Sequence, residues 1–322
     1  VRVALLFIDG VGIGARDPAV NPLARGDFLL SQFDVKGAVE GEPLPAGGTL
    51  HPVDTTFGVE GRPQSATNQT ALLTGEPAAA LLGRHVLGFP NAPLRELLSR
   101  RSIVKRLLAE GRSATFANCY PAGYLDALGL ARRESAEADV VIPPRYARRL
   151  KASATTLAFS AGGVPLRTLD DARAGRGLTN DLSGATANER GFPVPRRSPA
   201  EAARVLWQLA EGADFTLFEH YLADEAGHAR DFAAAERALG TFDAFARAVV
   251  ATRPEDACVL ICSDHGNVED LSTRSHTRNR VAALSFGAPA CLGPLGNIAD
   301  VGGAVMTLLE LGSRPRPLAV AR

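Results

Sequence analysis

The sequence predicts an α/β fold: a mostly parallel central sheet flanked by helices, with a small inserted cap. Two observations carry the sheet. Short apolar runs ending in polar residues alternate with segments of helical period, and this strand-helix-strand order recurs toward both ends of the chain. A third observation carries the cap. From about Tyr120 to Arg197 the pattern becomes Pro-, Gly- and Arg-rich and weakly periodic, with GRGLTNDLSGATANERGFPVPRR reading as loop. The expected division is a core of 1–120 and 198–322 around a cap of 121–197.

Taken in order, VALLFID (3–9) reads as a strand, and TNQTALLTG (67–75) as a short helix stopped by Gly75. PLRELLSRRSIVKRLLAEG (93–111) has helical spacing with Gly111 as its stop, and SATFANC reads as the next strand. SPAEAARVLWQLAEG (198–212) opens with Ser198 as N-cap, Pro199 at the first helical position and Glu201 at the capping-box position. DFTLFEH (214–220) is then a strand, AAAERALGTFDAFARAVVATR a helix, and ACVLICSD a strand.

Bulk composition narrows the function classes. The chain has 322 residues, 46% hydrophobic and 22% charged, as expected of an ordinary globular protein. Its formal net charge is zero, which gives no reason to expect nucleic acid or an anionic membrane as partner. Arginine far outnumbers lysine, present only as Lys36, Lys105 and Lys151. Cys119, Cys258, Cys262 and Cys291 follow no CxxC spacing and suit a reduced cytoplasm. No apolar stretch has the length of a membrane span and VRVALLFIDG runs straight into a strand, so a cytoplasmic location is expected.

Ligands of open parallel sheets bind beyond the carboxyl ends of the strands. Three such ends carry metal-type residues here. LLFID ends in Asp9, FTLFEH leads to Asp224 and His228, and VLIC leads to Ser263, Asp264 and His265. His276 follows in SHTRN. Asp224 and His228, four apart, share one face of a helix. Singly each has a plain structural reading: Asp9-Gly10 suits a turn, and a lone histidine is more often a satisfied core or surface residue. Together, Asp9, Asp224, His228, Asp264, His265 and His276 exceed what one tetrahedral zinc takes and suit two divalent ions, an arrangement fit for phosphoryl chemistry.

The ordered motifs DG, DEAGH, SDHGN and SHTRN resemble the metal-binding motifs of the alkaline phosphatase superfamily. The resemblance is closest to its branch of cofactor-independent phosphoglycerate mutase and phosphopentomutase. It covers roughly 1–115 and 198–290 and implies an alkaline-phosphatase-like core. It also implies a nucleophilic Ser or Thr at a helix start, itself a metal ligand. RPQSATNQTALLTG supplies Ser65, nine residues before the Thr74-Gly75 pair, as that spacing requires in phosphatase and pyrophosphatase members. A helix N-terminus favours a phosphoserine; the rival nucleophile is Thr67, and the plain alternative is that Ser65 is only an N-cap.

The resemblance implies one metal on Asp224, His228 and His276, and the other on Asp9, Asp264, His265 and the Ser65 oxygen. Manganese and zinc suit the mixed ligands, and magnesium less so. Asn68, Arg84, His85, Arg274 and Arg278 are candidate contacts to a small phosphorylated substrate, with Arg280 beside them. His51 and His220 read as structural. Hydrolysis of small phosphomonoesters is the expected reaction. QSATNQ departs from the NSE or DT surroundings usual in the mutases, and the insert is modest, although DGVGIG and SDHGN stand nearest that branch. The alternatives are an intramolecular phosphomutase, a phosphodiesterase or nucleotide pyrophosphatase, and a non-catalytic metal-binding domain. A diesterase of this kind needs an aromatic-lined slot for a nucleoside, which an aromatic-poor cap does not display. The Cys/Ser-x-Pro-x-Arg of sulfatases is absent.

Overall fold

A computed structural model describes residues 1–41, 43–135, 142–287 and 292–311. In chain order its strands are β1 (Arg2–Ile8), β2 (Gln32–Val35), β3 (Ala38–Gly41), β4 (Thr49–Val53), β5 (Ala114–Phe116), β6 (Cys119–Tyr120), β7 (Arg167–Thr168), β8 (Phe215–His220), β9 (Ala257–Cys262) and β10 (Val281–Phe286). The main sheet has the order β4-β10-β9-β1-β8-β5. Four neighbouring strands, β9, β1, β8 and β5, are parallel; β10 runs antiparallel to β9 and to the edge strand β4.

The helices are α1 (Ser65–Thr74), α2 (Ala78–Leu82), α3 (Ala92–Arg101), α4 (Ile103–Ala109), α5 (Ala122–Ala127), α6 (Pro144–Ala147), α7 (Ala154–Ala161), α8 (Leu169–Arg173), α9 (Ala185–Glu189), α10 (Pro199–Glu211), α11 (Leu222–Ala229), α12 (Phe232–Ala251) and α13 (Ile298–Leu311). Both faces of the parallel strands are covered, which is why β8 and β9 are buried at every position. Along β1 the side chains alternate between two cores. Ala4, Leu6 and Ile8 pack with α10 and α12, and Val3, Leu5 and Phe7 pack with α1, α3, α4 and α13.

The N-terminus of α10 forms as its sequence predicts, with Ser198 and Glu201 closing a reciprocal capping box. The single helix expected over 93–111 is two. Ser102 adopts an extended ψ of 139°, and its hydroxyl accepts the Lys105 N–H, ending α3 and capping α4. The break lets Leu94 and Leu98 on one helix and Ile103, Val104 and Leu107 on the other all reach the core.

Within 121–197, α7 lies against α1, α3 and α4, with Ala154, Ala158 and Phe159 in the main core. Leu169, Ala172 and Val194 form a separate small cluster with Cys119. Cys119, Cys258 and Cys262 are buried and free, and Cys291 lies outside the described residues. Among the described residues no helix is long and apolar enough to cross a membrane.

Candidate metal centre and active site

Strand β1 has a parallel neighbour on each side, so the carboxyl ends of β8, β1 and β9 meet at one edge of the sheet. Asp9 follows β1, α11 follows β8, and Ser263, Asp264 and His265 follow β9. The close approach of these loops needs Gly10, whose φ is +77°; a Cβ there would fall 2.6 Å from Asp224 Oδ1 and 2.9 Å from Asp224 Cα. Because α11 is helical, Asp224 and His228 do share a face, with His228 Nε2 3.2 Å from Asp224 Oδ2.

The six residues resolve into two groups: Asp224, His228 and His276, and Asp9, Asp264 and His265, each with ligand atoms within 4.8 Å of one another. The groups adjoin, since the His265 and His276 rings stack at 3.7 Å between centroids. The partition matches the one the resemblance implied.

The donor chemistry fits divalent cations. His228 Nδ1 lies 2.8 Å from the Arg274 carbonyl oxygen and His276 Nδ1 2.8 Å from that of Pro63. A hydrogen on each Nδ1 satisfies those carbonyls and leaves the Nε2 atoms, 3.1 Å apart, facing each other. Two lone pairs at that distance repel unless a cation lies between them. With protein groups alone a proton does this work: the hydrogen bond to Asp224 raises His228 to about 9 despite burial, while burial and the charge of His265 lower His276 to about 4. Burial opposes ionisation of Asp224, but hydrogen bonds from His228 and Asn267 and the charge of His265 win, and it falls below the usual carboxylate range.

In the other group, burial first and repulsion from Asp264 and Asp224 next push Asp9 well above its ordinary value. Its Oδ1 is buried without a hydrogen-bond partner. Gln69 donates to Asp9 Oδ2 and to Asp264 Oδ2, both at 3.0 Å, tying two like charges together. A concentration of buried carboxylate of this kind is stable when a cation neutralises it.

Glu269 joins the loops. Buried to 1% exposure, its carboxylate accepts from the N–H groups of Gly12 and Asn267, the Thr277 hydroxyl and the Asn279 amide. Those donors belong to the three segments that carry Asp9, His265 and His276. Asn267 in turn donates to Asp224 at 2.6 Å. Gly12 and Gly266 lie against the same carboxylate, with no room for a side chain.

Ser65 is the first residue of α1. Its Oγ lies 2.9 Å from His265 Nε2, beside the buried group. The N-cap position belongs to Gln64, whose side chain makes no capping bond, so Ser65 is no N-cap and the first-turn N–H groups lack a side-chain acceptor. Thr67 is fully buried and donates to the Gln64 carbonyl, which removes it as a nucleophile.

The substrate-contact candidates fare unevenly. Asn68 is fully buried, its amide committed to the Thr55 and Asp264 carbonyls, and it does not line the open cavity. Arg84 and Arg274 are exposed, the latter lending its carbonyl to His228. Arg278 is exposed and donates to the Gly61 carbonyl. His85 lies near Gly61, its two ring nitrogens buried and without hydrogen bonds, and is held below its ordinary pKa chiefly by burial. None of these lines the cavity of about 600 Å³ that opens beside Asp9, Ser65 and Gln69. Its walls come instead from Tyr120, Tyr124, Phe192, Tyr221, Arg190 and the buried Glu219. Sequence reasoning missed these, and Gln69 and Glu269 too. The signal for Gln69 was in plain view: one helical turn beyond Ser65, it shares that side chain's face.

Residues 194–313 match the family model described as the Metalloenzyme superfamily. A phosphopentomutase of Deinococcus radiodurans is 33% identical over 111 residues, 33% of this chain and 29% of that protein. One of Shewanella loihica is 31% identical over 156 residues, 47% of this chain and 36% of its own. One of Methylobacterium nodulans is 43% identical over 91 residues, 27% and 22% respectively. The chain thus spans between 22% and 36% of the length of these relatives.

Among solved structures, the alkaline phosphatase of the Antarctic bacterium TAB5 superposes with a TM-score of 0.54 at 12% identity, over 97% of this chain and 99% of that one. A protein from Pyrococcus horikoshii gives 0.54 at 12% identity, over 98% and 99%. At that identity the likeness concerns the fold. The fold is thus alkaline-phosphatase-like, with two groups of metal-type side chains at its strand ends. Residues 194–313 are similar to the Metalloenzyme superfamily, and these sequence relatives are phosphopentomutases.

Proposed function

We propose that the chain hydrolyses small phosphomonoesters through a phosphoserine at Ser65, using two divalent ions. One observation carries this: a serine hydroxyl at an uncapped helix start, 2.9 Å from His265 and facing the cavity, beside two complete groups of metal-type ligands. Asp224, His228 and His276 would hold one ion; Asp9, Asp264, His265 and the Ser65 oxygen the other. Manganese and zinc suit these ligands best. Ions so held lower the pKa of the serine hydroxyl and neutralise charge on the phosphoryl group and leaving oxygen.

Ser65 Oγ attacks phosphorus, its proton passing to water, while the bond from phosphorus to the substrate oxygen breaks and that oxygen takes up a proton from water to leave as the alcohol. The N–H groups of the first turn of α1 face the phosphoryl oxygens. Water then attacks the phosphoserine, the Ser65 oxygen leaves and takes up a proton, and phosphate is released. We assign the choice of alcohol to the 121–197 segment, which supplies Tyr120's neighbours Pro121 and Tyr124, with Arg190 and Phe192, to the cavity wall.

The sequence relatives favour a second reading, an intramolecular mutase acting on a pentose phosphate. A mutase must keep water from its phosphoenzyme. Here the wall carries an exposed Arg190 and Glu225 and a Phe89 that is 46% exposed, which supports hydrolysis. The test is manganese- or zinc-loaded protein assayed with p-nitrophenyl phosphate, bis-p-nitrophenyl phosphate, 3-phosphoglycerate and ribose 1-phosphate. Free phosphate from monoesters supports the phosphatase. Isomerisation without free phosphate makes it a mutase, cleavage of the diester alone makes it a diesterase, and no turnover leaves a metal-binding domain.

A further inference from the structure

The cavity beside Ser65 is larger than a compact phosphorylated acid or triose requires. At about 600 Å³ it falls in the range of pockets that enclose drug-sized ligands. Its walls are also of one kind. Tyr120 and Tyr124 stack at 5.7 Å between centroids with their planes 22° apart. Phe116 supports Tyr120 from behind at 6.1 Å and itself stacks on Phe159 at 5.1 Å, so the wall is anchored in the core. Phe89, Phe192 and Tyr221 supply three more rings. The aromatic slot that the sequence did not display is therefore present, assembled from the ends of β6, α5 and β8 and from two loops.

Besides Asp9 and Gln69, a third buried polar group faces this slot. Glu219, the penultimate residue of β8, is 5% exposed and lines the cavity together with Asp9 and Ser65. It shares the cavity wall with Tyr120, Tyr124 and Tyr221. A carboxylate on an aromatic slot, one short step from a nucleophile, accepts a hydrogen bond from whatever the rings hold.

Resting on the phosphoryl-transfer reading, we infer that this cavity takes the leaving group of the substrate, and that the leaving group carries a flat ring and a hydrogen-bond donor, as a nucleoside does. The ring lies against the Tyr120–Tyr124 wall and its hydroxyl or amino group reaches Glu219. Stacking on aromatic side chains is sequence-tolerant and strong enough to dominate the selection. Glu219 is a specificity residue in this scheme, since rejecting a ligand that cannot pair with a buried polar group is a powerful discriminator.

Two measurements test it. Calorimetry on the metal-free protein, with adenosine and with glycerol as probes, asks whether the cavity binds a ring without any phosphoryl chemistry. Adenosine is expected to bind and glycerol not to; no heat from adenosine overturns the inference. The second compares kcat/KM for adenosine 5′-monophosphate, p-nitrophenyl phosphate and glycerol 3-phosphate in the loaded enzyme. The two ring-bearing esters are expected to exceed the glycerol ester by about tenfold or more.

Tyr124→Leu keeps volume but removes the ring, and should lower that ratio for both ring esters. Glu219→Met, which keeps the length and removes both acceptor oxygens, should lower kcat/KM for the nucleotide relative to that for p-nitrophenyl phosphate, which brings no donor, by about tenfold. Equal efficiency for all three esters overturns the ring, and an unaltered nucleotide-to-p-nitrophenyl ratio in Glu219→Met overturns the donor. If adenosine binds while no ester turns over, the cavity assignment stands and the phosphoryl-transfer reading fails. If esters turn over and adenosine does not bind, only the cavity assignment fails.

Discussion

The two ligand groups touch through a pair of stacked histidine rings, yet they meet water differently. In the inner group His265 and Asp264 are fully buried and Asp9 is nearly so, and Gln69 bridges the two carboxylates. In the outer group the side chain of His228 is 46% exposed, although its partner His276 is buried. The inner group sits where β1 and β9 end side by side in the sheet, so its geometry is set by the core. The outer group hangs on α11 and on the loop that returns His276, so it depends on hydrogen bonds between loops. This difference predicts that an ion added to the inner group would exchange slowly and one added to the outer group readily.

The comparison can be broken or sharpened, beginning with the largest effect. Ser65→Ala removes the proposed nucleophile and the one hydroxyl beside the inner group. Turnover should fall by about 10³-fold or more while outer-site metal content stays, and unchanged kcat in steady-state assays sinks the phosphoserine. His228→Ala should weaken the outer ion by more than the 10–100-fold typical of losing a supporting partner. Metal analysis after gel filtration should then show one retained ion per chain; loss of both would mean the groups are not separable.

Glu269→Gln strikes both groups at once, because its carboxylate ties the Asp9, His265 and His276 segments together. We expect a cost of roughly 1–3 kcal/mol, read as a lower Tm in the metal-free protein. Affinity at both sites should drop together, and a drop at one alone would show that the clamp serves a single loop.

The last effect is one of pH. In the metal-free protein the hydrogen bond to Asp224 raises His228 to about 9, so at neutral pH an incoming ion must displace its proton. Outer-site affinity should therefore fall about tenfold per unit as pH drops below 9, and level off above it. Affinity constant from pH 7 to 9 would show His228 already neutral.

Much of this site is legible in the sequence. Asp224 and His228 read as a pair because helical period is written in sequence, and α11 is a helix. Asp9, Asp264 and His265 read as strand-end residues because parallel strands buried on both faces leave continuous apolar runs with abrupt polar ends. The capping box at Ser198 formed for the same local reason. The break at Ser102 did not show, since either one helix or two satisfies the same apolar spacing and the choice depends on what α3 and α4 pack against. Asn68 and Gln69 show the limit most clearly. They are neighbours on α1, and only the sheet edge beneath the helix decides that Gln69 faces the ligands while Asn68 is a buried strut.

By itself, then, the sequence determined the fold class and the metal-type residues at the strand ends, because period and strand ends are local properties of the chain; their division between two ions and the choice of Ser65 came from the resemblance. Tertiary structure alone decided that Glu269 clamps three loops and that rings from Tyr120, Tyr124, Phe192 and Tyr221 make one wall. Such groups are far apart in the chain and share no period. They meet only because the main sheet brings the ends of β8 and β9 to one side, and the separate β6-β7 pair adds its rings there.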